Sequence, residues 1–551
     1  MLTQEEYVNL RCTDVGKISK AGLKKITPSL NGFWDVIYYE SCPANVYSAI
    51  KRQATEVAAF DPLVLGKFIK FYDRIFDEEI VPILEKFDYS YAAWYNHLTV
   101  PQQAEINKVD KDKLMIKYYT MFCKREKQIV EDDDKMPKNR CICAPNAEYK
   151  YVMGPITYAL EEFFKNFKGY CGGKNWTEME EMYNDWDRKG LVKSVQLDGS
   201  AFDRSQYTEL KYVERRIYQW LIDGDKIKHV DNDVFAFQAL TDTVKIYARY
   251  YEDGNVVDMG YITVLGTVLS GSCDTTFANT LRMDLYNRFV AEEYLMLEPD
   301  EYALACKGDD ANTQFKADVP DDVIIEAYRQ VFLDSKANPK NFKDTHGLGQ
   351  VMKYLKIGGI EDIDFCSTET FWSETCKSFK ITRKLDRFLA LTPWSNKALG
   401  LSRGEQDHYL NDMYEANLFW MKGLPIFTEL NDFLKRKCGP RKVIKGPVKK
   451  LLMIPKEELH LVRNTSLKEK FLRDMFGKEA YSMVDRISEK GGCYGDYQNY
   501  LLRKYNWDQG EIKMIQDCIA NPVNGEIFDF GLSTMLERSK DIQMEITQHF
   551  N

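Results

Sequence analysis

The chain has 551 residues, 44% hydrophobic and 29% charged, with a formal net charge of -9. That composition belongs to a globular protein large enough for several subdomain cores, and it excludes a disordered coat. The acidic balance excludes an indiscriminate nucleic-acid-coating polycation but leaves room for a basic channel inside an acidic body, since the field depends on where charges sit.

The 13 cysteines are odd in number and lack a repeated spacing. Cys141-Ile142-Cys143 has no Cys or His pair at zinc-ligand distance, so free thiols in a reducing compartment are expected. MLTQEEYVNLRC at the N-terminus has no apolar core of the signal-peptide kind. No apolar run reaches the roughly 18 residues of a bilayer span, so a cytoplasmic chain without its own transmembrane segment is expected.

In chain order, residues 1–190 read as mixed helix and loop. They carry Lys17, Lys20, Lys24 and Lys25, and a charged stretch, KREKQIVEDDDKMPKNRCICAP, from 124 to 145. From Leu191 the pattern changes. LVKSVQLD predicts a strand ending in Asp198, DGSAFDRS a loop and TELKYVERRIYQWLI a helix. Asp253-Gly254, set between β-rich runs, predicts a hairpin. LSGSCDTTFANTLRMDLYNRFVAEEYL then predicts a small-residue loop running into a long helix, with Phe277, Leu281, Leu285 and Phe289 as its buried row. ACKGDDANTQF places Asp309 and Asp310 at the tip of a further hairpin. A helix is expected near 321–333, short elements as far as Trp394, and mainly helix from about 396. That last region holds an aromatic-rich run at 407–420 and a basic stretch without acidic residues, KRKCGPRKVIKGPVKK, at 435–450.

Gly-Asp-Asp by itself is ordinary turn chemistry. Its company gives it chemical weight. Asp198 and Asp309 both fall at strand ends; on neighbouring strands their carboxylates converge. Converging carboxylates repel and raise one another's pKa unless a cation sits between them. They are the hard oxygen donors that Mg²⁺ or Mn²⁺ prefers. Thr275 and Asn279 lie four apart on one helical face, polar where the 277/281/285/289 row is apolar. That face calls for a partner, with Asp203 and a ribose hydroxyl as candidates, or for nothing more than N-terminal helix chemistry.

Asp198-x4-Asp203, then Ser270-Gly271-x3-Thr275-x3-Asn279, then Gly308-Asp309-Asp310, in that order, resembles motifs A, B and C of the RNA-dependent RNA polymerases of positive-strand RNA viruses, nearest to tombusvirus-like and nodavirus-like enzymes. FCKREKQIV with MPKNRCICAP is similar to fingertip motif F, and IDFCSTETFW (363–372) to motif E. The motif-bearing part runs from 122 to about 395. The resemblance implies an α/β right-hand fold of fingers, palm and thumb, with an antiparallel palm sheet flanked by helices and a mainly helical thumb. Residues 1–190 would form an N-terminal extension and fingers, 191–395 the palm with a fingers insertion at about 226–262, and 396–551 the thumb.

It implies template-directed RNA synthesis from NTPs, replicating a viral genome with two Mg²⁺ or Mn²⁺ ions. Asp198 and Asp309 would be the main metal ligands, with Asp310 assisting. Lys124, Lys127 and Arg140 would bind the triphosphate. Asp203, Ser270, Thr275 and Asn279 would select ribose, and Gly271 would admit the template backbone. Lys336 and Lys340 are the main alternatives for a general acid, with Lys343 a third, and Lys307 departs from the aromatic or Asn that the family often has before the glycine. Lys435, Arg436, Arg441, Lys442 and Lys445 would line an RNA path or else form a solvated face. The implied setting is the host cytoplasm, in membrane-associated replication complexes held by viral or host anchoring proteins, with RNA template and product strand as partners. A reverse transcriptase of the same palm type and a non-catalytic RNA-binding scaffold are the rival readings.

Overall fold

The structure, a computed structural model, describes residues 23–25, 29–30, 35–53, 59–124, 126–130, 139–199, 202–252, 255–334, 346–395, 397–402, 404–407, 409–410, 413, 423–437, 493–520 and 526–527. It is a mixed α/β protein with two larger sheets and several two-stranded pairings.

The larger sheet has five strands. Its centre is Lys193–Gly199. On one side lies the hairpin of Tyr302–Lys307 and Asp310–Phe315, whose second strand pairs antiparallel with the central one. On the other side Gln350–Gly358 also pairs antiparallel with the centre, and Phe332–Asp334 pairs parallel with Gln350–Gly358 at the edge. The sheet is therefore mixed and not purely antiparallel as the resemblance implied. The parallel edge follows from connectivity: helix Asp321–Val331 leads straight into the edge strand.

Alternation along the strands splits the sheet into two chemistries. Val195, Leu197, Ala311 and Phe315 face one core together with Phe277, Leu281, Leu285 and Phe289 of the helix Thr275–Phe289. Ser194, Gln196, Asp198, Asp310, Asn312 and Gln314 occupy the alternate positions, register partners of one another. This polar face is covered at one end, where Gln196 donates to the Asp362 carbonyl at 2.6 Å and accepts from the Asp364 amide at 2.8 Å. Asp198 and Asp310 stand at the other end.

Residues 1–190 contain strands as well as helix and loop. Tyr118–Cys123 and Cys141–Pro145 join Thr243–Glu252 and Asn255–Leu265 in a four-stranded sheet. Helix Pro43–Gln53 covers one face of it through Val46, Ala49 and Ile50. In Tyr118–Cys123 and Cys141–Pro145 burial alternates, but nearly every side chain is apolar or aromatic, so residue type shows no period of two. The 363–372 stretch contributes Thr368–Ser373, paired antiparallel with Ser378–Arg383. Phe371 of this hairpin shares one core with helices Leu385–Leu391, Tyr494–Lys504 and Gln509–Ala520. At its centre the buried Glu369 carboxylate accepts from Tyr497 at 2.7 Å and Tyr505 at 3.0 Å. Among the described residues no helix is long and apolar enough to cross a membrane.

Candidate active site

The hairpin turn consists of Gly308 and Asp309. Gly308 has φ +64°, and a Cβ there would meet nothing within 4 Å, so the requirement is conformational and not steric. Positive φ at the first of two loop residues suits a tight hairpin that matches strand twist. The Gly308 amide donates to Thr280 Oγ1 at 2.8 Å, which fastens the turn to the long helix. In this register the residue facing Asp198 is Asp310, not Asp309. Asp309 lies in the turn itself, exposed.

The Asp310 carboxyl is pushed up to about 6, by burial first and then by the Asp309 and Asp198 charges, with the Cys366 thiol opposing as a hydrogen-bond donor. The side chain reaches solvent, yet enough protein surrounds it to desolvate the charge. Asp198 is held by Lys353, whose ammonium donates to Oδ2 at 2.8 Å. Lys353 is the extra residue of a β-bulge: Met352 pairs with Gly199 and Tyr354 with Asp198, leaving Lys353 between them. A bulge re-aims a side chain, and here it brings a cation to the acidic end of the sheet. Sequence alternation gave no sign of this lysine.

Among the described residues, no three His, Cys, Asp or Glu side chains are gathered closely enough to hold a metal ion by themselves. A facing pair of carboxylates still fits Mg²⁺, which is usually bound by one or two carboxylates together with substrate phosphates and not by an all-protein cage.

A second cluster lies on the long helix. Asn279 Nδ2 donates to Asp203 Oδ1 at 2.6 Å. Asp203 belongs to the short helix Phe202–Ser205, directly after the central strand. Its backbone carbonyl accepts from Val268 at 3.0 Å, which ties that helix to the loop before Thr275. Thr275 turns away: its hydroxyl donates to the Leu269 carbonyl at 2.7 Å. Ser270 contributes its carbonyl to the Cys143 amide at 2.7 Å. Gly271 has φ +105°, and a Cβ there would stand 2.9 Å from Ile142 Cγ2 and 3.1 Å from the Cys143 oxygen. The backbone that approaches Gly271 is thus the chain's own strand Cys141–Pro145. Ser272, Asp274 and Tyr149, unremarked in the sequence, brace this loop: Ser272 donates to Asp274 at 2.6 Å and Tyr149 to the same oxygen at 3.2 Å.

The basic residues divide. Lys124 and Arg140 stand together, with the Lys124 amide bonded to the Arg140 carbonyl at 2.7 Å. Glu126 sits between them, 2.8 Å from Lys124 and 3.3 Å from Arg140. Lys127 does not join them. Its ammonium donates to the Leu391 carbonyl at 2.5 Å and the Trp394 carbonyl at 2.8 Å. One position further along, on strand Lys127–Val130, the side chain leaves its neighbours for the end of helix Leu385–Leu391, where carbonyls lack intrahelical partners. Burial lowers its pKa to about 8, with Arg383 adding to the effect.

Of the basic stretch, Lys435 is exposed and Arg436 donates to the Ala520 carbonyl at 2.8 Å. Lys336, Lys340, Lys343, Arg441, Lys442 and Lys445 lie outside the described residues, as do Lys17, Lys20 and most of the 407–420 run. No family model matches the chain, and comparison with curated proteins finds no relative.

Proposed function

We infer that the chain is a template-directed RNA polymerase that joins NTPs on an RNA template, with the five-stranded sheet as the palm, the four-stranded sheet in the fingers and the C-terminal helices in the thumb. The observation that carries this reading is the register opposing Asp198 to Asp310 with Asp309 in the intervening turn, next to the Asp203–Asn279 pair.

Asp198 and Asp310, with Asp309 beside them, are the groups that would hold Mg²⁺ or Mn²⁺. When bound, the ions supply activation of a 3′-hydroxyl and charge stabilisation on the departing pyrophosphate. The remaining work falls to the chain itself. Lys353 holds the Asp198 side chain in place until a divalent cation takes over from its ammonium. Lys124 and Arg140 neutralise an incoming triphosphate, which exchanges with Glu126 as their counter-charge; Arg140 can fork onto two oxygens. Asp203 and Asn279 present an acceptor and a donor to a 2′-hydroxyl, which both donates and accepts. Base identity is left to pairing.

The test is incorporation of NTPs on a defined template, with Mg²⁺ or Mn²⁺ and with or without a primer. Asp309→Ala and Asp310→Ala should each lower the rate at least ~10³-fold, as several kcal/mol of transition-state stabilisation disappear. Near-normal synthesis by both would refute the assignment. The same assay with dNTPs on RNA separates this reading from reverse transcription, and inactivity of the wild type with intact RNA binding would favour the scaffold.

A further inference from the structure

We propose that Arg282, fixed by Glu214, is a positioning residue for Asn279, and that the chain Glu214–Arg282–Asn279–Asp203 sets the preference for ribose over deoxyribose. The inference rests on the polymerase reading and supplies the device behind its sugar choice.

Arg282 and Glu214 are both buried, 0% and 2% exposed, and their side chains meet at 2.5 Å. Arg282 lies three residues after Asn279 on the same helix, and its Nη2 donates to Asn279 Oδ1 at 2.8 Å. Asn279, 3% exposed, passes the polarity on by donating from Nδ2 to Asp203 at 2.6 Å. An amide can present either its oxygen or its nitrogen toward a neighbour by a half turn. With Arg282 donating on one side and Asp203 accepting on the other, only one orientation satisfies both. The donor end is then aimed at Asp203, where a sugar hydroxyl would be read.

A bracing role explains the pair poorly. Helix Tyr212–Asp223 already packs against the long helix through Val213, Ile217, Phe277 and Leu281, members of one core. Arg282 Nε and Glu214 Oε1 are buried without hydrogen-bond partners. An ion pair left incomplete in this way is expensive, and apolar residues of similar volume are often as stable or more so. What apolar residues cannot do is orient an amide.

The experiment uses the full chain in single-nucleotide incorporation, comparing kcat/KM for an NTP with that for the matching dNTP. Glu214→Met with Arg282→Met removes both charges at once. The double variant should keep its thermal midpoint and lose about tenfold in NTP preference, roughly the worth of one hydrogen bond to a charged group. The loss should fall on NTP incorporation, leaving dNTP incorporation little changed. Arg282→Lys keeps the charge without the fork and should lie between. Adding Asn279→Ala to the double variant should cost no further selectivity, because both act through one amide.

A folded double variant that discriminates within about twofold of wild type overturns the proposal, as does full additivity with Asn279→Ala. Should the double variant not fold, an unchanged ratio in Arg282→Lys overturns it instead. A wild-type protein that incorporates no NTP defeats the polymerase reading itself, a distinct result.

Discussion

Glu369 gives a prediction whose size follows from its surroundings. The side chain is 4% exposed on strand Thr368–Ser373, with the hydroxyls of Tyr497 and Tyr505 and the Leu385 amide, at 3.3 Å, donating to it. Burial, the largest influence, pushes its pKa from the ordinary 4.5 up to about 7. The hydrogen bonds oppose that rise without cancelling it. Between those two values the folded protein keeps a proton that the unfolded chain has released. Stability from this group is therefore complete below about pH 4.5 and is lost as the pH rises through about 7. A difference of about 2.5 units corresponds to about 3 kcal/mol across the window.

Glu369→Gln removes the charge and keeps the shape. Its amide can still accept, and the tyrosine hydroxyls can turn to receive its N–H groups, at a net cost of about 1 kcal/mol. The variant should be slightly weaker than wild type at pH 5 and stronger by about 2 kcal/mol at pH 8. Hydrogen exchange of the amides in Thr368–Ser373 and Tyr494–Lys504, corrected for intrinsic rates, reads the local opening free energy directly. Across this range wild-type protection should fall relative to that of Glu369→Gln. Parallel curves for the two proteins would refute the reasoning, because other titrating groups are common to both.

Further outcomes follow from the site. Lys353→Met removes a cation 2.8 Å from Asp198 and should lower the half-saturating Mg²⁺ concentration for incorporation by up to about fivefold, the upper range for a half-exposed pair; an unchanged or higher requirement would count against the pairing. Gly271→Ala places a Cβ against Ile142 at an unfavourable φ and should lose about 1–3 kcal/mol of stability, visible as a lower thermal midpoint. Lys124→Met should raise the KM for NTP, whereas Lys127→Met should leave it unchanged and increase hydrogen exchange around residues 385–395; equal KM effects would put Lys127 back among the triphosphate groups.

How much of this was readable in the sequence depends on the range of the interaction. The central strand, the Gly-Asp-Asp hairpin and the long helix were legible because period-2 and period-4 patterns and a glycine turn are local signals. The helix Thr275–Phe289 nevertheless departs from its pattern: every residue from Phe277 to Phe289 is buried, including Asn279, Arg282, Asp284, Asn287 and Arg288. Its apolar row marks one face, but the rest is buried by elements distant in sequence, and polarity on that side means partners instead of solvent. Asn287 illustrates this, accepting from Thr313 at 3.2 Å and Tyr328 at 2.7 Å. Lys353 was invisible for a related reason, since a bulge is a property of two strands together and no single-strand period encodes it. Lys127 stands apart from Lys124 and Arg140, which spacing within KREK could not show, since its ammonium reaches a helix end more than 250 residues away. The same logic separates the acids at the strand ends, which were legible by type, from the side chains around them and from the register, which opposes Asp310 and not Asp309 to Asp198. Acids announce themselves by type at strand ends, while the residues that contact them and their polar neighbours — Lys353 beside Asp198, Arg282 beside Asn279 — are chosen by packing. On the polymerase reading, sugar selectivity should therefore respond more to these packed neighbours than their sequence context suggests.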